Sequence, residues 1–150
     1  MKLKVPPTLQ VAIFAFLIWL ISKLAPVKHL NFEYQKELSW SIFAFGVFIG
    51  IIAVYTFRKA QTTVDPRNPD KASKLVIVGI YKISRNPMYL GFFFILLAFV
   101  IKVGNLYALP VLIVYVWYIT AFQIKPEEIA LKDLFGEDYS HYLKTVRRWI

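Results

Sequence analysis

The sequence predicts an all-α integral membrane protein with about four transmembrane helices, and three observations support that fold class. Of its 150 residues, 58% are hydrophobic and 17% are aromatic, which is more apolar than an ordinary soluble domain of this size. The apolar residues form four segments, at about 9–25, 39–57, 88–103 and 107–124, each approaching the roughly 20 residues that a helix needs to cross a bilayer. When the segments cross alternately, fourteen of the eighteen Lys and Arg residues fall on one side of the membrane.

We expect the first segment to be a retained span rather than a cleaved signal peptide. The sequence at 22–26, Ser-Lys-Leu-Ala-Pro, is a poor cleavage context, and the chain stays strongly apolar after it. The second segment carries Gly46 and Gly50, a small-x-x-x-small spacing that lets another helix approach closely. This spacing favours packing within the protein, and a homo-oligomer formed through the Gly46 and Gly50 face is the alternative.

Segments three and four are predicted to form a helical hairpin. Lys102, Gly104 and Asn105 interrupt the apolar pattern for only a few residues before Tyr107 resumes it, which predicts a tight polar turn. Polar residues at a membrane boundary must be satisfied by protein, water or ligand. Polar clusters precede segment three and follow segment four, so we expect a functional site at the open end of the hairpin.

The charge distribution predicts the orientation. The fourteen cations lie at the amino terminus, between segments two and three, and in the carboxyl-terminal tail, which places both termini and the long connection in the cytoplasm. The formal net charge of +9 is explained by contact with anionic lipid headgroups and requires no nucleic-acid partner. No organelle signal is recognisable, which favours a prokaryotic inner membrane.

The connection at 58–84 is predicted to act as a cytoplasmic lid. It begins with a turn-rich stretch at 65–70 and becomes apolar at 75–78. That apolar run is too short to span a bilayer and too apolar for a free linker, so we expect it to cover the helix ends and form one wall of a pocket. An ordinary interfacial loop is the alternative interpretation.

A polar motif at 79–91 leads into segment three. Pro87 suits the first turn of a helix, and Asn86 is its predicted N-cap. Helix capping alone does not explain why Arg85, Tyr81 and Tyr89 gather at the same helix start. Free amides and the positive end of the helix dipole favour a carboxylate there, so we expect this motif to bind an anionic group.

A second polar cluster follows segment four, where Pro126 precedes Glu127 and Glu128. These residues suit a helix start, and the two carboxylates also form a negative spot in a basic face, an arrangement suited to an ammonium or sulfonium group. Apolar residues continue at helical spacing to residue 146 with a break at Gly136, which predicts two short amphipathic helices.

Metal and thiolate chemistry are not expected. The chain has no cysteine, and its two histidines, His29 and His141, are far apart in sequence. His141 is interpreted as a packing or surface residue rather than a general base.

The order of these motifs resembles one membrane-enzyme superfamily. Gly-x-Tyr-x-x-x-Arg-Asn-Pro-Met-Tyr-x-Gly, an apolar hairpin, Glu-Glu-x-x-Leu-x-x-x-Phe-Gly-x-x-Tyr-x-x-Tyr and a final Val-Arg-Arg-Trp resemble the isoprenylcysteine carboxyl methyltransferase and phospholipid methyltransferase superfamily. The resemblance covers about residues 56–150. Because the amino-terminal spans vary in that superfamily, we treat 1–150 as one membrane domain with variable spans at 1–57 and a methyltransferase core at 58–150.

The resemblance implies methyl transfer from S-adenosylmethionine, with S-adenosylhomocysteine as the product. The positions that match the superfamily's donor-binding residues are Ser73, Lys74, Leu75, Val76, Tyr81, Asn86, Pro87, Met88, Tyr89 and Glu127, and Glu128 adjoins the last of them. An acidic residue can bind the donor's α-ammonium group, amides at the helix start can bind its carboxylate, and Leu75 and Val76 can cover its adenine.

The implied acceptor is a lipid-like or small amphiphilic molecule whose oxygen, nitrogen or sulfur attacks the sulfonium methyl group in line. Arg85, Gln123 and Lys125 are the candidates for positioning it, and Arg85 is favoured because a guanidinium can bind a carboxylate through two hydrogen bonds. The chain has Asn86 where many members have His. It has Gln123 where the prenylcysteine enzymes have an arginine, which argues against prenylcysteine as the acceptor.

Two functions from other classes are kept as alternatives. A membrane NADPH-dependent reductase of related fold would bind phosphates with the basic connection, although the chain has no Gly-rich dinucleotide motif. A noncatalytic membrane scaffold would explain the spans, but it gives no reason for two polar clusters in this order.

Overall fold

The computed structural model describes residues 5–25, 31–60 and 74–150. The helices in these ranges are α1 (Pro7–Leu24), α2 (Gln35–Lys59), α3 (Pro87–Val103), α4 (Leu109–Ile119) and α5 (Lys125–Thr145). Short 3-10 helices at Gly79–Lys82 and Leu106–Ala108 precede α3 and α4, and a π-helical turn at Thr120–Ile124 joins α4 to α5. The helical fold class predicted from the sequence is confirmed for the described part of the chain. The turn-rich start of the predicted lid lies outside it.

Within the described ranges, three helical stretches are long and apolar enough to cross a bilayer, and these are Pro7–Leu24, Gln35–Lys59 and the continuous stretch Leu106–Thr145. α3 is equally apolar but has only 17 residues, so the predicted number of four spans stays a prediction. Large apolar side chains face outwards, among them Phe16 and Phe48, which are 56% and 59% exposed. Lipid rather than water suits such a surface, and the protein is therefore a membrane protein.

The antiparallel helices α2 and α3 make the closest contact in the fold. Gly46 lies against Gly91, and a Cβ atom added at Gly46 would stand 2.7 Å from the Gly91 carbonyl oxygen. Nearer the other end of α3, Ser39 Oγ donates to the Ala98 carbonyl oxygen (2.9 Å). Gly46 therefore serves packing within the protein, as its spacing favoured. A homo-oligomer through this face stays a prediction.

Helices α3 and α4 form the predicted hairpin. Gly104 ends α3 with a φ of 68°, in the left-handed region that glycine adopts without steric cost. Asn105 then accepts a hydrogen bond from the Tyr107 backbone N–H (3.0 Å) and closes the turn. Towards the open end, Tyr115 Oη donates to the Tyr89 carbonyl oxygen (3.2 Å), so the two helices are joined there as well.

Helix α1 belongs to the main core, although the amino-terminal spans add little to the family resemblance. The Phe14 ring meets the Tyr115 ring edge-on with 5.3 Å between centroids, and Ile18 is completely buried. These contacts place the start of α1 beside the end of α4. The starts of α1 and α3 and the ends of α2 and α4 consequently share one end of the bundle.

Pro126 lies at the start of α5 and Glu127 and Glu128 lie in its first turn, as predicted, although no loop separates this helix from α4. α4 passes through the π-helical turn directly into α5, with helical dihedral angles at both junction residues. Pro126 has no N–H to donate to the preceding turn, and the wider π turn accommodates that missing hydrogen bond. The predicted break at Gly136 is present, with a φ of 52° and a ψ of −118° dividing α5 in two.

Candidate functional site

The two polar clusters meet at Glu127. Its Oε1 atom accepts a hydrogen bond from Tyr89 Oη at the start of α3 (2.5 Å) and another from Gln123 Nε2 in the π turn (2.8 Å). Tyr89 and Gln123 are both buried, at 5% and 1% exposed. Two donors on the same oxygen restrict the orientation of the Glu127 carboxylate.

Helix α1 extends this network. Gln10 Nε2 donates to Gln123 Oε1 (3.1 Å) and to the Val5 carbonyl oxygen (2.9 Å), and the Gln10 side chain is 5% exposed. The chain Gln10, Gln123, Glu127 therefore connects α1 to α5. Sequence reasoning missed Gln10, although a single glutamine within an otherwise apolar span is the signal that could have found it.

Glu128 holds a second, separate set of partners. Its carboxylate lies 3.1 Å from Arg85 Nη2 and accepts two hydrogen bonds from Arg148, from Nε at 2.9 Å and from Nη2 at 2.8 Å. The hydrogen bonds to Glu128 raise the pKa of the Arg148 guanidinium. The adjacent glutamates thus differ in their contacts. Glu127 accepts hydrogen bonds from neutral donors, whereas Glu128 pairs with two arginines and so connects the 79–91 motif to the carboxyl terminus.

The backbone of the carboxyl terminus also docks on this motif. The Arg85 N–H donates to the Arg147 carbonyl oxygen (3.1 Å), and Asn86 Nδ2 donates to the Arg148 carbonyl oxygen (2.9 Å). Asn86 occupies the N-cap position of α3 as predicted, but its side chain caps nothing. The amide donates to the Arg148 carbonyl oxygen instead, which also accepts a longer hydrogen bond from Ser84 Oγ (3.5 Å).

An aromatic and aliphatic cluster forms the neighbouring wall. Val76 and Tyr81 are buried against Ala53 of α2, with Met88 packed on them from the start of α3. Burial raises the pKa of the Tyr81 hydroxyl. Tyr142 Oη donates to the Tyr81 carbonyl oxygen (2.6 Å), which fixes the 3-10 turn against α5.

Buried polar atoms without a hydrogen-bond partner concentrate at this end of the bundle. Across the described ranges they are Gln10 Oε1, Tyr81 Oη, Arg85 Nε and Thr120 Oγ1. All belong to the network, to the 79–91 motif or to the π turn. Leaving a buried polar group unsatisfied is costly, so this concentration is what a polar ligand site would show.

The remaining predicted site residues lie further out. Lys74 and Lys125 are exposed, Leu75 is half-buried and Pro87 is buried at the start of α3. Ser73 lies outside the described residues. Of the two acceptor candidates Gln123 and Lys125, Gln123 is buried and Lys125 is exposed.

Two further predictions concern histidine and metals. His141 is exposed on α5, consistent with its interpretation as a surface residue. Over the described part of the chain, no group of three or more His, Cys, Asp or Glu residues is placed to hold a metal ion.

A helical membrane protein with a polar site at one end of its bundle is the class that the fold and site define. Residues 34–138 match the phospholipid methyltransferase family, and this match covers more than half of the chain. The chain therefore belongs to the phospholipid methyltransferase family, which confirms the resemblance drawn from its motifs. The match includes α2, all of the hairpin and most of α5.

Curated relatives point the same way. The chain is 29% identical over 137 residues to protein-S-isoprenylcysteine O-methyltransferase B of Arabidopsis thaliana, which covers 87% of this chain and 70% of that protein. It is 35% identical over 80 residues to protein-S-isoprenylcysteine O-methyltransferase of Schizosaccharomyces pombe, covering 53% of this chain and 33% of that protein. An uncharacterized protein of Haemophilus influenzae is 41% identical over its whole length of 63 residues, or 42% of this chain. No solved structure matches the chain.

Proposed function

We propose that this protein transfers a methyl group from S-adenosylmethionine to a lipid-like or small amphiphilic acceptor at the cytoplasmic membrane interface. The observation that carries the proposal is the convergence of both family motifs on Glu127, where Tyr89 and Gln123 hold one carboxylate from two sides. Membership of the phospholipid methyltransferase family supports the reaction class. The names of the plant and yeast relatives support methyl transfer by proteins of this kind.

The residues present suit such a donor. Glu127 is a fixed carboxylate for the α-ammonium group, and Tyr81 Oη and Arg85 Nε are buried polar atoms still without partners. The first intrahelical hydrogen bond of α3 joins the Leu90 N–H to the Asn86 carbonyl oxygen (3.1 Å), and the Asn86 N–H donates to Ser84 Oγ (3.1 Å). The Met88 and Tyr89 N–H groups therefore have no intrahelical acceptor and suit a carboxylate. Apolar Val76 beside Tyr81 suits the adenine.

When bound, the donor would supply a methyl group activated on a positively charged sulfur. The protein's own residues would position it and exclude water. Gln123 and Tyr89 keep Glu127 in place, and Tyr142 keeps the Tyr81 turn against α5. Alignment of this kind lowers the barrier of a two-reactant displacement without a strong base in the protein.

Acceptor positioning is assigned to Arg85 first. Its Nη2 atom pairs with Glu128, while its buried Nε is unpartnered and faces the motif. The Gln123 side chain already makes hydrogen bonds to Glu127 and Gln10. We therefore assign it the positioning of Glu127 rather than direct contact with the acceptor. Lys125, exposed at the start of α5, would attract an anionic headgroup.

The predicted topology completes the proposal. Both termini and the connection at 58–84 would lie in the cytoplasm of a prokaryotic cell, with the described residues 74–78 as the base of the lid. The soluble donor would then enter from the cytoplasm, and the acceptor would enter sideways from the bilayer.

Calorimetric titration of nanodisc-held protein with S-adenosylhomocysteine tests the donor site. We expect a Kd in the micromolar range that Glu127→Gln weakens about tenfold, since a charge-assisted contact to the ammonium group is lost. Glu137→Gln, an exposed carboxylate on the same helix, is the matched control and should bind like the wild type.

Two outcomes would reject the proposal. If well-folded protein binds NADPH but not S-adenosylhomocysteine, the reductase of related fold is the better assignment. If it binds neither ligand, the noncatalytic scaffold is favoured, and the convergence on Glu127 has only a structural role.

A further inference from the structure

Two buried glutamines, Gln10 and Gln123, form a chain of hydrogen bonds that ends at Glu127. Gln10 Nε2 donates to the Val5 carbonyl oxygen (2.9 Å) and to Gln123 Oε1 (3.1 Å). Gln123 Nε2 in turn donates to Glu127 Oε1 (2.8 Å). A side-chain amide nitrogen carries two hydrogens, so the Gln10 nitrogen uses both of them, one for the backbone of its own segment and one for the π turn.

The Val5 carbonyl sets the direction of this chain. A backbone carbonyl oxygen can only accept, so the Gln10 amide must turn its nitrogen towards Val5, and the same nitrogen then meets Gln123. A reversed Gln10 amide would bring its oxygen against the Val5 oxygen with no hydrogen between them. The Gln123 amide consequently presents its oxygen to Gln10 and its nitrogen to Glu127.

This arrangement leaves one polar atom of Gln10 unsatisfied. The Gln10 side chain is 5% exposed, and its Oε1 atom has no hydrogen-bond partner within the described ranges. A buried acceptor without a donor is destabilising. Since an apolar side chain of similar shape would avoid that loss, the amide at position 10 indicates a function at the site that it reaches.

The two amides orient Glu127 without neutralising it. Both are uncharged, and the remaining donor to Glu127 is the Tyr89 hydroxyl. In the part of the chain that the structure describes, Glu127 forms no ion pair, whereas the adjacent carboxylate of Glu128 pairs with two arginines. A buried carboxylate without a countercharge favours a cationic ligand, because such a ligand supplies the missing charge.

We propose that Gln10 is a positioning residue of the donor site, through which α1 orients the Glu127 carboxylate for the α-ammonium group of the methyl donor. The inference rests on the proposed methyltransferase function and assigns the first span a part in it. Gln10 acts through Gln123, since its side chain donates to Gln123 and not to Glu127. Helix α1 is thus a component of the site in addition to a membrane span.

Two ligands isolate the ammonium contact. One is S-adenosylhomocysteine, and the other is its deamino analogue, in which a hydrogen atom replaces the α-amino group. Calorimetric titration of wild-type protein in nanodiscs should give a Kd about tenfold higher for the deamino analogue, because the charge-assisted contact to Glu127 is missing. The ratio of the two dissociation constants therefore measures that contact.

Two variants of Gln10 test its role. Gln10→Met should raise the Kd for S-adenosylhomocysteine about threefold to tenfold and leave the Kd for the deamino analogue unchanged, because only the ammonium contact depends on the orientation of Glu127. Gln10→Glu keeps the shape of the side chain and should act in the same direction. A carboxyl group has at most one hydrogen, which cannot serve both Val5 and Gln123.

The matched control is Gln35→Met. Gln35 Nε2 donates to the Ile101 carbonyl oxygen (2.6 Å) at the opposite end of the bundle, so this variant also loses a glutamine hydrogen bond between a side chain and a neighbouring segment. The ratio of the two dissociation constants should remain that of the wild type. Gln35→Met thereby separates a general loss of stability from an effect on the donor site.

A double-mutant cycle tests the route through Gln123. In a Gln123→Met background the chain is already broken, so adding Gln10→Met should not raise the Kd for S-adenosylhomocysteine further. A second loss of the same size in that background would overturn the proposed route.

The remaining outcomes separate this proposal from the proposed function. If both Gln10 variants raise the two dissociation constants equally, or change neither, Gln10 does not position Glu127 and the inference fails. If the wild type binds S-adenosylhomocysteine and its deamino analogue equally, the ammonium contact is absent, and the inference fails while the donor site stands. If well-folded wild type binds neither ligand, the proposed methyl transfer fails and the inference fails with it.

Discussion

Tyr89 at the start of α3 donates its hydroxyl hydrogen to Glu127 at the start of α5, across 38 residues of sequence. The contact is possible because the α3–α4 hairpin returns the chain to the end of the bundle at which it began. Two polar motifs at separate helix starts thereby become parts of one buried site. The consequences of this geometry can be measured residue by residue.

Tyr89→Phe should lower the affinity for S-adenosylhomocysteine by about threefold to tenfold, because one of the two donors that orient Glu127 is removed. Calorimetric titration measures the effect. Tyr107→Phe is the control, since that side chain is 48% exposed at the opposite end of the hairpin and should leave the affinity unchanged. Equal affinity of Tyr89→Phe and wild type would mean that the hydrogen bond does not prepare the donor site.

Gln10→Met should lower both thermal stability and donor affinity, because Gln123 Oε1 then loses its donor in a buried position. We expect Tm to fall by about 2–4 °C, corresponding to roughly 1 kcal/mol. Thermal unfolding in detergent measures the shift, and Thr8→Val, an exposed polar change in the same helix, should leave Tm unaltered. A Tm drop without any change in affinity would restrict Gln10 to a structural role.

Much of this fold is predictable because its signals are local. Apolar runs that approach the length needed to cross a bilayer predict the helices, and the interruption at Gly104 predicts the hairpin turn. The small-x-x-x-small spacing that includes Gly46 predicts a close helix contact. The motifs on either side of the hairpin had to meet once the hairpin was recognised. The donor-site assignments themselves stay predictions that the titrations above decide.

The features that escaped prediction depend on contacts between distant parts of the chain. The Asn86 amide binds the carbonyl of Arg148, 62 residues away, so its cap position could be predicted but its partner could not. The role of Gln10 depends on its hydrogen bond to Gln123, which lies 113 residues further along the chain. Nothing in the periodicity of an isolated helix specifies which neighbour its polar residue will face.

Arg148→Gln should loosen the carboxyl terminus, because Arg148 supplies two hydrogen bonds to Glu128 that close the end of the chain over the 79–91 motif. Faster amide hydrogen exchange at residues 144–150, and at the Arg85 N–H that they cover, is the expected result. Arg147→Gln is matched in charge but uses only its backbone carbonyl, so it should exchange like the wild type. Identical exchange in both variants would show that the backbone contacts alone hold this segment.

Gly46→Ala and Gly50→Ala should differ sharply in stability although they lie one turn apart on the same helix. The new methyl group at Gly46 would stand 2.7 Å from the Gly91 carbonyl oxygen and 3.0 Å from the Ile95 backbone nitrogen, so α2 and α3 would have to separate. Such overpacking costs roughly 1–3 kcal/mol. At Gly50 the methyl group enters open space, so the free energy of unfolding in mixed micelles should match the wild type or exceed it. Equal destabilisation by both substitutions would contradict this difference between the two glycines, because it would mean that Gly50 is also a packing residue.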